Sequence, residues 1–298
     1  MATDRAAAFA KINLCLFLGP TRADGRHELV TLFESVSLAD ELVITARDAG
    51  QSDEVVCDGV EGPNLVAGAL AALRAAGWAA PPVRVVIEKR IPVAAGMGGG
   101  SADAAALLRH APGLAPVDPA VQREIAAALG ADVPSQVEPG PSLGTGAGEL
   151  LHPVTVADHG LLVLPQPFAL PTAAVYREAD RLGLPRSRLE IAALRRELGA
   201  RLEDGVLGGL PDELMVNDLQ GAALSLRPEI AGALEQARGA GAWPSMVCGS
   251  GPTVVGVFWG SDGLDRAAAA ARELRDRYPG AVAVGPVGRG TGAAAPNE

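Results

Sequence analysis

Residues 91–110, IPVAAGMGGGSADAAALLRH, constrain the fold more than any other stretch. Glycines at 96, 98, 99 and 100 stand between an apolar β-type run, VRVVIEKRI (83–91), and an alanine-rich segment of helical character. Glycine inside regular structure costs ~0.5–1 kcal/mol relative to alanine, so such a cluster at the head of a helix needs a compensating use. A strand, a glycine turn and a helix N-terminus gather free backbone N–H groups about one point. The helix dipole adds about half a positive charge there, and the missing Cβ atoms let the backbone approach an anion closely. The segment reads as a phosphate cradle, with a tight structural turn as the alternative. Ser101 stands where it can cap the helix or meet a phosphate or its metal. The spacing is neither GxxxxGK[ST] nor GxGxxG, which excludes a Walker-type loop and weakens a Rossmann reading.

The pattern along the 298 residues fits one large or two ordinary domains. FAKINLCLFL (9–18) alternates with period two. Ala10, Ile12, Leu14, Leu16 and Leu18 make one apolar face, and Lys11 sits beside Asn13 on the other. Strands are expected at 29–37, 41–46, 54–57 and 83–91, and helices at 63–77, from Ser101, and from Asp118 to Gly130. Pro134 is expected to bar Val133 from helical geometry, so that GADVPSQV turns sharply after Gly130. Glycine and proline density rises over 139–153, and a new pattern follows. It has a strand at 161–165 and helices near 172–183, 188–198 and 228–239. MVCGSGPTVVGVFWG reads as two strands about a tight turn, followed by a helix at 263–277 and a last strand at 281–285.

Charge and cysteine usage narrow the function class. The net charge is −10, which disfavours nucleic-acid binding, since affinity there comes mainly from phosphate neutralisation. No run of 18 or more uncharged apolar residues indicates a membrane span, and the N-terminus reads as mature protein rather than a signal peptide. Three cysteines without CxxC spacing fit a reducing, cytoplasmic setting. The four histidines show no zinc spacing. Among 25 basic residues only Lys11 and Lys89 are lysines, and both fall in segments singled out on other grounds. Taken alone, Asp132 reads as an ordinary turn aspartate, Lys11 with Asn13 as either an edge-strand surface or a site, and VCGSGPTVV (247–255) as a hairpin.

Together these residues carry a resemblance. AKINLCL, PVAAGMGGGSADAA and VCGSGPT, in this order and spacing, resemble the three motifs of the GHMP kinase superfamily. ADGRHEL, LGADVP, GTGAGE (144–149) and NDLQGAAL (217–224) are similar to segments of its branch acting on a cytidine diphosphate-linked polyol. The matches span residues 9 to about 258. The resemblance implies an α/β (α+β) fold of two domains. The first, 1–154, would be a layer like ribosomal protein S5 domain 2. The second, 155–298, would be a ferredoxin-like layer, with residues 288–298 a disordered tail and the active site in the cleft between the two.

The implied activity is ATP-dependent phosphorylation of the polyol 2-hydroxyl with Mg²⁺, by a monomer or homodimer without nucleic-acid or membrane partners. Asp132 matches the family's catalytic base and Lys11 its catalytic lysine, with Asn13 orienting the substrate. Pro92, Val93, Ala94, Ala95, Gly96, Met97, Gly98, Gly99, Gly100, Ser101 and Ala102 match the phosphate cradle, with Ser101 also the candidate Mg²⁺ ligand. Lys89 is expected near the nucleotide, and Gly249, Ser250 and Gly251 are expected to line the site from the second domain. Asp103 is read as structural. At the cytosine end the matching positions are Arg26, His27 and Tyr176. The family commonly has tyrosine where Arg26 stands, and a guanidinium plane can also stack on a base. Ala94 and Ala95 replace common glycines, which implies a backbone conformation that alanine tolerates. Another kinase of the superfamily, of the homoserine or mevalonate class, and a catalytically silent nucleotide-binding regulator are the alternatives.

Overall fold

The computed structural model describes residues 3–60, 62–203 and 211–288. The chain opens as β1 (Thr3–Thr21) and returns antiparallel as β2 (His27–Ala46). The two strands expected at 29–37 and 41–46 are one, because Ala39 and Asp40 pair with Phe9 and Ala8 and carry the ladder through. Next come β3 (Glu54–Val56), α1 (Leu65–Ala75), β4 (Val83–Glu88), α2 (Gly99–Leu114), α3 (Pro119–Leu129), α4 (Val133–Val137), β5 (Ser142–Thr145) and β6 (Leu150–Pro153). These six strands form one sheet in the order β3-β4-β2-β5-β6, with β1 paired to β2. β3 and β4 are parallel, and α1 makes the crossover between them.

The remaining elements build a second sheet and its helices. They are β7 (His159–Leu164), α5 (Thr172–Arg181), α6 (Arg188–Glu203), a 3₁₀ turn (Asp212–Leu214), α7 (Gln220–Leu226), α8 (Ile230–Gly239), β8 (Ser245–Val247), β9 (Val254–Trp259), α9 (Gly263–Leu274) and β10 (Val282–Val284). The sheet is antiparallel in the order β10-β7-β9-β8. The expected tail lies outside the described residues from 289 onward. Among the described residues no helix is long and apolar enough to cross a membrane.

A slip in β1 decides what that strand shows to each core. Its pairing with β2 shifts between Asn13 and Cys15, which makes Leu14 the extra residue of a bulge. A one-residue slip reverses the faces of a strand. Ala10, Ile12 and Leu14 therefore pack in the first layer's core together with Cys15 and Phe17, whereas Leu16 and Leu18 join the core of the second. The single apolar face expected from strict alternation is thus divided between two cores. Backbone bridges fasten the layers at Leu16 with Asn217 and at Val36 with Pro286. The Leu16 amide donates to the Val216 carbonyl at 2.8 Å, and the Val287 amide to the Ser35 carbonyl at 2.8 Å.

α2 runs beneath β1 with Ala102, Ala104, Ala105, Ala106, Leu107 and Leu108 all buried. Small side chains let the helix sit close to the sheet, and each buried leucine contributes about 1.5–3 kcal/mol. Ala102 is wholly enclosed in this core, so its expected place on the cradle surface is not met. Arg109, from the same helix, donates to the carbonyls of Ala7 and Gln136 and so holds α4 against β1. α4 corrects the expected sharp turn: Val133 is helical, with Asp132 as N-cap. Pro134 is tolerated because it stands in the first turn, where no intrahelical N–H donor is needed. Glu34, wholly buried in β2, has its carboxyl pushed up to about 8 by that burial.

Candidate active site

The glycine turn connects β4 to α2 and opens into a cleft of about 430 Å³. Gly98, at φ +69°, is the helix N-cap and offers no side chain. The helix therefore starts before Ser101, which lies within its first turn and does not cap it. The first intrahelical bond runs from the Ala102 amide to the Gly98 carbonyl at 2.8 Å, so by helix geometry the amides of Gly99, Gly100 and Ser101 have no partner within it. Gly96, at φ +80°, packs against the turn of the second layer, where a Cβ would run into the Cys248 carbonyl and come within 2.9 Å of that of Gly251. Ala94 has φ +53°. That region costs an L-residue about 1–2 kcal/mol, so the backbone here is not one that alanine tolerates freely, contrary to expectation.

Lys11 and Asn13 are buried, at 5% and 3% exposure, which rules out the edge-strand surface. The Lys11 amide donates to the Met97 carbonyl at 3.0 Å, joining β1 to the glycine turn. Its aliphatic stem lies so close to Gly98 that a Cβ there would stand 3.0 Å from Cγ. The ammonium donates to Asn13 Oδ1 at 3.0 Å and pairs with Asp132 Oδ2 at 3.6 Å. Asn13 Nδ2 in turn donates to Thr31 Oγ1 at 2.7 Å, and Thr31 donates to the Cys15 carbonyl at 2.7 Å, a chain that fixes the amide's orientation. Asp132 remains partly open to solvent.

Both lysines of this acidic chain line the same cleft. Lys89 is paired with Asp40 and lies 2.8 Å from Asp103 Oδ2. Asp40 also accepts from the Ile91 amide at 2.7 Å. Burial pulls the Lys89 ammonium down, but Asp103 and Asp40 outweigh it and leave the group above its usual value. Burial lifts Asp103 to about 7 against the opposing pull of Lys89. Asp103 Oδ1 has no hydrogen-bond partner. Asp103 thus anchors Lys89 immediately behind Gly99, where a Cβ would meet Lys89 Nζ at 3.2 Å.

The other end of the cleft is built from distant parts of the chain. Tyr176, on α5, lines it, and burial together with the nearby Asp132 raises its phenol above the usual range. Its ring lies 5.3 Å from that of His27. His27 Nε2 is 2.8 Å from Asp180 Oδ1, and Asp180 follows Tyr176 by one helical turn. Arg26 is not brought here: its guanidinium is exposed and held by Asp24 at 3.2 Å in the β1–β2 turn. Gly249 and Ser250 line the cleft, whereas Gly251 packs behind it, its missing Cβ 2.7 Å from Val247 Cγ1. A Cβ at Gly249 would stand 3.3 Å from both Lys11 Nζ and Asn13 Oδ1.

The cleft is completed by residues that sequence reasoning did not assign to it, among them Leu16, Phe33, Cys57, Asn64 and Thr172. Only Asn64 carried a local signal, as the N-cap of α1, where it accepts from Val66. The parity change at Leu14 explains Leu16, and the Lys11 ammonium lies 5.6 Å from the centre of the Phe33 ring.

Comparison with known proteins shows what the whole chain is similar to. The family described as GHMP kinases N terminal domain matches residues 64–141, and that described as GHMP kinases C terminal matches 192–280. A 4-diphosphocytidyl-2-C-methyl-D-erythritol kinase of Streptomyces coelicolor is 40% identical, with 89% of this chain and 93% of that protein covered. One from Salinispora arenicola is 40% identical over 83% of this chain and 80% of its own length. A crystal structure of 4-(cytidine 5'-diphospho)-2C-methyl-D-erythritol kinase superposes with a TM-score of 0.74 at 34% identity, covering 95% of this chain and 99% of that one. A homoserine kinase structure from Cytophaga hutchinsonii shares the fold at a TM-score of 0.72 but only 18% identity, over 97% and 96% of the two chains.

Proposed function

The chain belongs to the GHMP kinases, and from that premise we propose that it transfers phosphate from ATP to the 2-hydroxyl of 4-diphosphocytidyl-2-C-methyl-D-erythritol. The products are the 2-phosphate and ADP, and the step belongs to non-mevalonate isoprenoid biosynthesis. The observation that carries the chemistry is the Lys11–Asp132 pair, 3.6 Å apart, at the mouth of a glycine turn that presents free amides.

In this reading the triphosphate lies along residues 92–101, held by amides at the head of α2, with Lys89 behind Gly99 held in place by Asp40 and Asp103. Asp132 accepts the proton of the 2-hydroxyl. A carboxylate is too weak a base to ionise a free alcohol, so the proton leaves late, as the phosphoryl group arrives in a loose transition state. Lys11 stabilises charge on the attacking oxygen, and Asn13, locked through Thr31, holds the ammonium in place. Ser101 and the unpartnered Asp103 Oδ1 are the oxygens of the cradle wall suited to Mg²⁺, which when bound with the nucleotide supplies charge neutralisation. Tyr176 and His27 receive the cytosine, and Gly249 and Ser250 close over the polyol. Arg26 has no part in this arrangement.

We place the division between domains near residue 154, in the link between β6 and β7. Every group named comes from one chain, so monomer and homodimer serve equally, and three free cysteines suit a reducing cytoplasm. The test is ADP release with ATP, Mg²⁺ and each candidate alcohol. Turnover is expected with the diphosphocytidyl substrate. Turnover with homoserine or mevalonate in its place would overturn the reading, as would nucleotide binding with no turnover on any alcohol.

A further inference from the structure

A second cavity, of about 260 Å³, lies where the two sheets meet. Its wall includes Glu34 from β2, Val154 and Val156 from the link into β7, His159 at the head of β7, and Pro286 and Val287 beyond β10. The Glu34 and His159 side chains are almost wholly buried, at 0% and 1% exposure. Neither carboxylate oxygen of Glu34 has a hydrogen-bond partner, and neither does His159 Nε2. Glu34 Oε2 and His159 Nε2 stand 3.6 Å apart. None of these atoms serves the phosphoryl-transfer cleft.

The imidazole's orientation is fixed by its other nitrogen. His159 Nδ1 lies 2.8 Å from the Ala157 carbonyl oxygen. A carbonyl only accepts, so Nδ1 carries the hydrogen and Nε2 is left with a lone pair. Burial favours the protonated Glu34 carboxyl; once a cation displaces that proton, the carboxylate and this nitrogen together present three lone-pair atoms beside one cavity. Buried polar groups are nearly always satisfied in native proteins, and those that are not call for an unseen partner. Asp158 is the charged group acting on His159, and its negative charge favours a cation.

We propose that Glu34 and His159 bind a divalent transition-metal ion of the Zn²⁺ type, with water in the cavity filling the remaining positions. The spacing fits: two bonds of about 2.1 Å that span this separation meet at roughly 118°, near the tetrahedral preference of zinc. A histidine whose second N–H is held by a backbone carbonyl is the arrangement that orients metal-binding imidazoles. Among the described residues no cluster of three or more His, Cys, Asp or Glu side chains stands ready for a metal. The site is therefore loose and exchangeable, unlike a closed structural zinc centre. Because β2 and β7 belong to different sheets, a bound ion ties the layers together.

Co²⁺ is the probe. Titrated into the full chain, it is expected to bind with one equivalent, to show visible absorption, to be displaced by Zn²⁺ and to raise the melting temperature. It should also quench Trp259, whose ring lies 5.1 Å from that of His159. Glu34→Gln and His159→Gln should each weaken binding at least tenfold, while His110→Gln, at a separate His–Asp pair, leaves it unchanged. Should either of the first two variants fail to fold, Trp259→Phe decides: it must abolish the quench while the Co²⁺ absorption persists. Binding undiminished in both variants overturns the proposal. So does an absence of stoichiometric binding with Trp259 emission that responds to pH alone, because the pair then holds only a proton.

Discussion

The two ends of the cleft are built on different principles. The glycine end is made of backbone: a turn that shapes itself through Gly96 and Gly98, with a helix dipole aligned behind it. Its parts lie within about a dozen consecutive residues. The opposite end is made of side chains: Tyr176 lines it, with His27 from the start of β2 and Asp180 from α5 packed beside that ring, some 150 positions apart in sequence. A backbone site of the kind proposed tolerates little change, because there the main chain itself would touch the ligand. A side-chain site can lose one contact and keep the rest. Arg26, which the resemblance assigns to this end, has its guanidinium folded back on Asp24 instead.

This contrast can be broken at four places. Asp132→Asn should lower kcat by about 10²–10⁴-fold, the usual worth of a positioned base, while ATP still binds; turnover near wild type would remove Asp132 from that role. Gly96→Ala should cost several kcal/mol in unfolding and weaken ATP binding, since strain at positive φ adds to a backbone clash with Cys248. Denaturant melts and nucleotide titration would show it, and a variant with wild-type stability would mean that the two turns part easily. Tyr176→Ala should raise KM for the cytidyl substrate by about 1–3 kcal/mol of lost stacking with little change in kcat. An equal fall in kcat would place the ring at the reaction centre instead. Smallest is Ala94→Gly, where relief of left-handed strain outweighs the added freedom of the unfolded chain by less than about 1 kcal/mol. A destabilised variant would show that Ala94 is not strained.

The glycine turn was legible from sequence because its determinants are local: strand, glycines and helix follow one another and each announces itself. Lys11 and Asn13 were legible as neighbours on one strand face, but their burial was not, since it depends on α2 and the second layer closing over them. Leu16 was missed because a bulge leaves no mark in a period-two pattern; Leu14 looks like any alternating residue. The short helix after Asp132 is hidden from sequence reading because a proline disfavours helix at the residue before it, whereas proline in a first turn is compatible with a helix. Arg26 was assigned by position alone, and only the geometry of its turn shows that Asp24 claims it. The Glu34–His159 pair carried no sequence signal, its members being brought together by the docking of one sheet against another.

The Leu16–Asn217 and Val36–Pro286 bridges have a kinetic implication. Main-chain hydrogen bonds sew the halves together at both points, and the paired turns at Gly96 and Cys248 lean on each other between them. Swinging the halves apart as jaws would sever all of these at once. Exchange of small molecules at the cleft is therefore expected to leave the layers joined, since separating them breaks these main-chain bonds.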